Sequence, residues 1–417
     1  MKQVWFGCHF LLFLGMFAYT YPHHWTVLVY MDSSDSLSDM ALKNITDMAR
    51  AGSNDTCSIY IQLHAYYSIG LRYIIEHNKL VLADEITLTN KPAYDLLDAA
   101  QWAFGSNPDQ TMLVLWNHGY GILDPFWSEQ DQKWMVEPDS CSAEICQYCP
   151  SKRIFRCNHL LHKGFIFNAD PKVYLTNQDM VEVLQGIYAL LDNRKLDILG
   201  FDTCMGGMFE IAYQIAPYVR YHIGAQNCEQ RDGWDYTCFA QLHEYGDPET
   251  IAKNIITAFD RYYKPITKDG VYTMAAVDLS YVALIKEQID SISQLIQYCY
   301  DHYGTDFKTA IRSAREQSPR FCFIPMYTDL YMFCLNLADQ LYLLEPSQLI
   351  SDLSMRLKGI CPLIKQAVIA NCGGYNIADV AKGISIYFPH FHIDTSYYKT
   401  KFAKDSCWLD VLNIATS

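Results

Sequence analysis

A chain of 417 residues, half of them hydrophobic, can bury a large core and is long enough for two or three domains. Its formal net charge of −14 and pI near 5.3 argue against nucleic acid or an acidic membrane surface as partner. They suit an enzyme acting on cationic groups.

The first residues read MKQVWFGCHFLLFLGMFAYTYPHH. Lys2 supplies a short positive region, and Val4 to Ala18 is apolar apart from His9. That run is too short to span a bilayer comfortably, and Ala18 with Thr20 makes a cleavage pair. Residues 1–20 therefore read as a secretory signal, leaving a mature chain with no membrane span that is secreted, periplasmic or held at the cell surface. The chain has 15 cysteines. With Cys8 lost in the signal and Cys204 reserved for chemistry, an odd number is left, so a fully paired disulfide set fails. In an exported protein some pairing is still expected.

Trp25 to Met31 is the first strand. Asp32 to Ser36 is a turn before a helix over about 37–51, with Leu42, Ile45 and Ala49 on one face and Gly52 as its stop. Asn44-Ile-Thr46 and Asn54-Asp-Thr56 are glycosylation sequons, informative only in a eukaryotic host. Cys57 to Leu63 is the second strand, and Leu71 to Ile75 reads as an added one. Pro92 suits the first turn of a helix that turns Leu96, Ala99, Ala100 and Ala103 inward and ends at Gly105. Thr111 to Trp116 is an apolar strand ending at Asn117-His118-Gly119-Tyr120-Gly121. This βαβα alternation predicts a mostly parallel sheet with helices on both faces.

Residues 122–172 break the pattern and read as a surface insertion. They hold Cys141, Cys146, Cys149, Cys157, His159 and His162. The cysteine spacing could hold zinc, but disulfides are the simpler reading in an exported chain. Thr176 to Leu191 is an amphipathic helix, with Thr176 and Asp179 forming a capping box and Met180, Val183, Leu184 and Ile187 in register.

Leu196 to Phe201 is a short buried strand that ends at Asp202-Thr203-Cys204. Gly206 and Gly207 open a helical stretch with Met208, Ile211, Ala212 and Ile215 at helical spacing, closed by Pro217. Cys204 thus stands at a strand-to-helix switch, where the helix N-terminus is expected to favour the thiolate. Tyr218 to Gly224 is the next strand, followed by the loop 225–236. From about 247 the chain is mainly helical. Ser280 is read as the cap of a helix with Ile285, Ile289, Ile292 and Ile296 on one face, and Val271–Val277 and Gly383–Phe388 as strands returning to a sheet. The division is 1–20 signal, 21–245 core with its insertion, and 246–417 a C-terminal part completing the core.

A thiol at one strand end and a histidine at another can meet across one sheet edge. The glycine after the histidine frees a backbone N–H to face an oxyanion. Nucleophile, proton carrier and oxyanion donors are the minimum for thiol acyl transfer. Asp202 lies two residues before Cys204, on the same side of the strand. The residues alone leave Asp202 a helix cap or a site acid, and Asp232 a turn acid or a site acid.

The stretches TVLVYM (26–31), GSNDTCSIYIQL (52–63), LWNHGYG (115–121), LDILGFDTCMGGMFEIAY (196–213), DGW (232–234) and GISIYFP (383–389) resemble, in order, the clostripain family of cysteine peptidases, relatives of the caspases, gingipains and legumains. The resemblance implies a caspase-like α/β/α sandwich with a mostly parallel central sheet and a mainly helical C-terminal part packed on it. It implies an endopeptidase with a Cys204–His118 dyad, needing no adjacent carboxylate and no cofactor, and with Gly119 and Cys204 as oxyanion donors. Asp202 and Asp232 would line the primary specificity pocket, so that protein or peptide substrates are cut after Arg or Lys. Family members often cleave themselves between the His and Cys strands. Lys133, Lys152 and Arg153 are the candidate sites here. Calcium stimulation is a further family property, although no EF-hand-like run of acids is present. The chain departs from the family pattern at Thr203, in Met-Gly-Gly after Cys204, and at Arg231, which could pair with Asp232 and dull the pocket. The competing readings are a catalytically silent surface or binding protein of the same fold, and a zinc-bearing module centred on Cys141–His162.

Overall fold

Strands that are apolar on both faces need cover on both faces, and helices supply it here on either side of a nine-stranded sheet. The computed structural model describes residues 24–33, 37–66, 68–89, 91–124, 126–128, 133–135, 174–243, 246–267, 272–321, 326–374 and 377–417. The signal segment 1–20 and the cysteines and histidines of 141–162 lie outside the described residues.

In chain order the elements are β1 (Trp25–Asp32), α1 (Ser38–Ala51), β2 (Cys57–Tyr66), β3 (Ile69–Glu76), β4 (Lys79–Thr87), α2 (Pro92–Phe104) and β5 (Gln110–Trp116). The short strands β6 (Phe126–Ser128) and β7 (Lys133–Met135) pair with each other. Then come α3 (Asn177–Leu190), β8 (Leu196–Asp202), α4 (Phe209–Ile215), β9 (Val219–Gly224), α5 (Pro248–Ile266), β10 (Thr273–Asp278), α6 (Val282–Tyr303) and α7 (Thr305–Gln317). The chain closes with β11 (Tyr327–Asp329), α8 (Leu330–Gln340), α9 (Gln348–Ala367), β12 (Val368–Gly373), β13 (Ser385–Tyr387), α10 (Lys401–Asp405) and α11 (Trp408–Thr416).

The sheet order is β12-β10-β9-β8-β5-β1-β2-β3-β4. The five strands from β9 to β2 are parallel to one another. An antiparallel pair extends each edge. The fold class implied by the resemblance is the observed one. The sheet runs without a break from the core into the C-terminal part, because β10 and β12 come from beyond residue 245.

The two faces carry separate cores. Val27, Val29, Val114 and Ile198 pack with Ile45 and Met48 of α1 and Ile255 and Phe259 of α5. Leu28, Leu113, Leu115, Leu199 and Phe201 pack with Leu96 of α2, Leu184 of α3, Ile211 of α4 and Ile289 of α6. Each such side chain contributes about 1.5–3 kcal/mol on burial. Together these contacts fix the strand ends where the chemistry sits.

Several helices follow the sequence pattern closely. Leu96, Ala99, Ala100 and Ala103 are buried on α2, and Met180, Val183, Leu184 and Ile187 on α3. The Thr176–Asp179 capping box forms at α3. Ile285, Ile289, Ile292 and Ile296 all face inward on α6.

Three expectations are corrected. Leu42 is 64% exposed, because α1 turns Ala41, Asn44, Ile45 and Met48 to the sheet instead. Ser280 does not cap α6. Asp278 accepts its N–H at 2.9 Å and starts a single 3-10 turn ahead of the helix. The strand expected over 383–388 forms as β13, which pairs with β11 in a two-stranded sheet apart from the central one. The helix after Cys204 begins at Phe209 rather than at the glycines. Met208 is drawn into a parallel bridge with Ser385 and so stays extended.

Candidate active site

Three neighbouring parallel strands end at one edge of the sheet. Met31 of β1 lies beside Trp116 of β5, and Trp116 beside Asp202 of β8. The loop after β5 is tied to both neighbours. The Asn117 side-chain amide donates to the Asp32 carbonyl at 2.6 Å, and its backbone N–H to the Asp202 carbonyl at 3.3 Å. His118 therefore leaves its strand next to the strand that carries Cys204.

Gly119 brings the two loops into contact. A Cβ there would collide with the Cys204 carbonyl oxygen and lie 2.7 Å from the Thr203 hydroxyl. Only a residue without a side chain fits this close approach. Behind it, a Cβ on Gly121 would meet Met208 Sδ at 2.5 Å. Tyr327 donates its hydroxyl to the Tyr120 carbonyl at 2.6 Å. The loop bearing His118 is thus packed against the Cys204 turn and against the C-terminal part.

The Cys204 turn is held from both sides by that same C-terminal part. The Ser385 hydroxyl and N–H both donate to the Gly207 carbonyl, at 3.1 and 3.0 Å. On the other side, Gln226 donates to Asp329 at 3.0 Å and accepts the Gly383 N–H at 2.8 Å. This places the GISIYFP stretch as a clamp on the turn. Met205 is held at φ 56 within it and donates its N–H to the Asn227 carbonyl at 3.0 Å. Below the turn, buried His222 lies near the Gly206 backbone and meets Phe201 edge-on at 5.2 Å. Burial lowers its pKa to about 4, so it is neutral.

Because α4 starts five residues past Cys204, the helix N-terminus is not what faces the thiol. The Glu229 backbone N–H takes that place and donates to Cys204 Sγ at 3.3 Å. A donor aimed at sulfur favours the thiolate by the same electrostatics.

Asp202 is almost wholly buried and accepts the Trp234 N–H at 3.2 Å and the Tyr236 hydroxyl at 2.6 Å. Gly200, on the strand below, leaves the room that the Trp234 ring fills. Asp232 lies further out. Tyr262 donates to its carboxylate at 2.8 Å, and the Asn44 amide to its carbonyl at 2.9 Å. Arg231 reaches to Asp39, at 2.9 Å, as its salt-bridge partner.

Two residues near the site escape the sequence reading. Asn44, a sequon by pattern, is buried, accepting the Trp116 indole N–H at 2.8 Å as well as holding Asp232. In the fold it is no acceptor for a glycan, whereas Asn54 is exposed. Glu229 places its carboxyl against Asp202 and the Trp234 indole. Burial raises the pKa of both acids, and Glu229 stands well above the carboxylate range because Asp202 and Cys204 lie beside it.

The self-cleavage candidate Lys133 opens β7, where Ser128 is its cross-strand neighbour, rather than lying in an open loop. Lys152 and Arg153 lie outside the described residues. Among the described cysteines, Cys228 is disulfide-bonded. Among the described residues no group of three or more His, Cys, Asp or Glu side chains is arranged to hold a metal ion. Among them, too, no helix is long and apolar enough to cross a membrane.

Glu210, on α4, is fully buried and accepts the Tyr387 N–H at 2.8 Å and the Tyr397 hydroxyl at 3.1 Å. Burial pushes its pKa to about 7. The folded state thus binds this proton more tightly than the unfolded chain. Its contribution is full at pH below the unfolded value and is lost as pH rises through about 7. We expect stability in urea to fall between pH 5 and 7 by up to about 1.4 kcal/mol per pH unit from this group, and to level off above that. The Glu210→Gln variant should lose that share of the slope. An unchanged slope would place the titration elsewhere.

The model of the clostripain family, peptidase C11, matches residues 163–413, more than half of the chain. The matched stretch contains Asp202, Cys204 and Asp232, and His118 precedes it. Similar solved structures include iotapain, a secreted C11 cysteine protease from Bacteroides thetaiotaomicron. It is 15% identical with a TM-score of 0.59, over 93% of this chain and 100% of that one. A secreted C11 cysteine protease of the same organism in complex with an irreversible peptide inhibitor is 16% identical, with a TM-score of 0.58 over 93% and 99% of the two chains. An inactive zymogen C11 protease from Parabacteroides distasonis is 15% identical, with a TM-score of 0.55 over 92% and 98%. At such identities the likeness speaks for the fold. No curated protein sequence matches the chain. On the family match, this chain belongs to the clostripain family of cysteine peptidases.

Proposed function

We propose that this peptidase is an exported endopeptidase in which Cys204 and His118 form the dyad, and that it cuts after Arg or Lys. The seat of Gly119 on the Cys204 carbonyl carries the reading, because it sets the His118 and Cys204 loops side by side. Cys204 attacks the scissile carbonyl and forms a thioester, while the electron pair of the C–N bond leaves with the amine. His118 gives that amine its proton and later takes one from the water that splits the thioester. Backbone N–H groups of Gly119 and Cys204 face the oxyanion. Asp202, buried two residues before the nucleophile, supplies the negative charge for a cationic P1 side chain, with Asp232 nearer the rim. Export by the signal at 1–20 and activation by a cut after Lys133 or near Lys152-Arg153 belong to the same reading.

Asp202→Asn tests the charge. Its kcat/KM for an arginine peptide should fall roughly 100-fold further than for a matched glutamine peptide, as expected for removing one partner of a buried charge pair. Equal losses on both peptides would show that Asp202 only supports the turn.

A further inference from the structure

Asp202 and Glu229 stand out as a buried acid pair without a base. Asp202 is 4% exposed, and both carboxyl oxygens of Glu229 are shielded from solvent. Among the described residues neither forms an ion pair with Lys or Arg. Lys43, the base that acts on Asp202 from a distance, is committed to Asp47 at 3.1 Å. Two acids buried together hold at most one negative charge cheaply, and that charge wants a cation.

Position says where the cation comes from. Glu229 touches the nucleophile directly, through its N–H on Cys204 Sγ. Its carboxyl faces Asp202 and the Trp234 indole, and Tyr236 closes the cluster through its bond to Asp202. The backbone of this loop is pinned where the Asn227 N–H meets the Thr273 hydroxyl at 3.0 Å. Asp202, two residues before Cys204, and Glu229, with its N–H on the sulfur, put the pair beside the residue that would attack the scissile bond. Asp232 lies further out and accepts the Tyr262 hydroxyl at 2.8 Å.

We propose that Glu229 is the second acid of the P1 pocket, paired with Asp202 beneath the nucleophile, and that the pair receives the guanidinium or ammonium of the substrate. This rests on the Arg/Lys reading above and names a residue for it. Without substrate, one proton lies between the two carboxyl groups. That keeps a second negative charge away from the Cys204 thiolate. When a guanidinium enters, it replaces the proton as the counter-charge, and the Glu229 carboxyl releases that proton to solvent. No bond to carbon changes, and charge balances as one cation in and one proton out. The groups facing Glu229 are Asp202 and Cys204 at the end of β8, Trp234 and Tyr236 in its own loop, and Tyr263 on α5. Lys43 on α1 and Asp232 act on the cluster from further off.

The test uses the Cys204→Ala protein, which removes the thiol's own titration and binds without turnover. It is titrated calorimetrically with an arginine-ended peptide in two buffers of different ionisation enthalpy, from pH 5.5 to 7.5. The expected result is release of close to one proton per peptide, with affinity rising by up to about tenfold per pH unit. Adding Glu229→Gln should abolish the release and flatten the pH dependence, whereas Glu229→Asp should restore both. Thermal midpoints of all three report whether the loop is intact. Equal proton release with and without Glu229→Gln overturns the pairing and leaves the Arg/Lys reading standing. If the arginine peptide binds no better than a glutamine peptide in any of the proteins, the Arg/Lys reading falls and takes the pairing with it.

Discussion

Cys204→Ala is expected to remove turnover of every peptide substrate, by a factor on the order of 10⁵–10⁶ in kcat, as for the loss of other covalent nucleophiles. The fold should not notice. Cys204 is only partly buried in a turn that is held by Gly207, Met205 and Gln226 through backbone and amide contacts. A smaller side chain strains none of these, so the thermal midpoint should stay within a few degrees. The same variant tests activation. The native chain should acquire a cut after Lys133 or near Lys152-Arg153 on storage, and the Cys204→Ala chain should remain single on the same gel. Turnover within tenfold of native would assign the nucleophile to another residue.

Gly119→Ala should be nearly as damaging by a different route. The added methyl meets the Cys204 carbonyl and the Thr203 hydroxyl, neither of which can yield alone. Thr203 is buried between Asp202, whose carbonyl holds Asn117, and Cys204. The His118 loop must therefore move away from Cys204. A displacement of about 1 Å costs roughly 100-fold in rate, and overpacking adds about 1–3 kcal/mol of instability. Steady-state kinetics and a melting curve of the same preparation read both. A variant as active as the native enzyme would show that the two loops are not pressed together in the working protein.

Much of this arrangement could be read from the chain. Val27-Leu28-Val29, Leu113-Val114-Leu115 and Ile198-Leu199 are buried on both faces, so they appear as unbroken apolar runs, and their polar ends mark the sheet edge. The dyad candidates sit at those ends. What the chain hid was decided by partners far off in sequence. Gly206-Gly207-Met208 reads as a helix opening until Ser385, 178 residues from Gly207, draws the backbone straight. Strand β4 carries Lys79, Asp84 and Glu85 and is largely exposed, so it shows no buried pattern. Leu42 points to solvent while the polar Asn44 turns inward, because the Trp116 indole and the Asp232 carbonyl satisfy its amide. Glu229 lies 25 residues after Cys204, in a loop without periodicity, and meets the thiol only once β9 has turned back beside β8.

The measurement that bears most directly on the account offers the purified native protein four matched fluorogenic peptides ending in Arg, Lys, Asn or Asp. Turnover of the Arg and Lys peptides is expected, with silence on the other two. Hydrolysis of the Asn or Asp peptides instead would contradict the acidic pocket while keeping the dyad. No hydrolysis of any peptide, with a thiol that resists alkylation, would contradict the dyad itself.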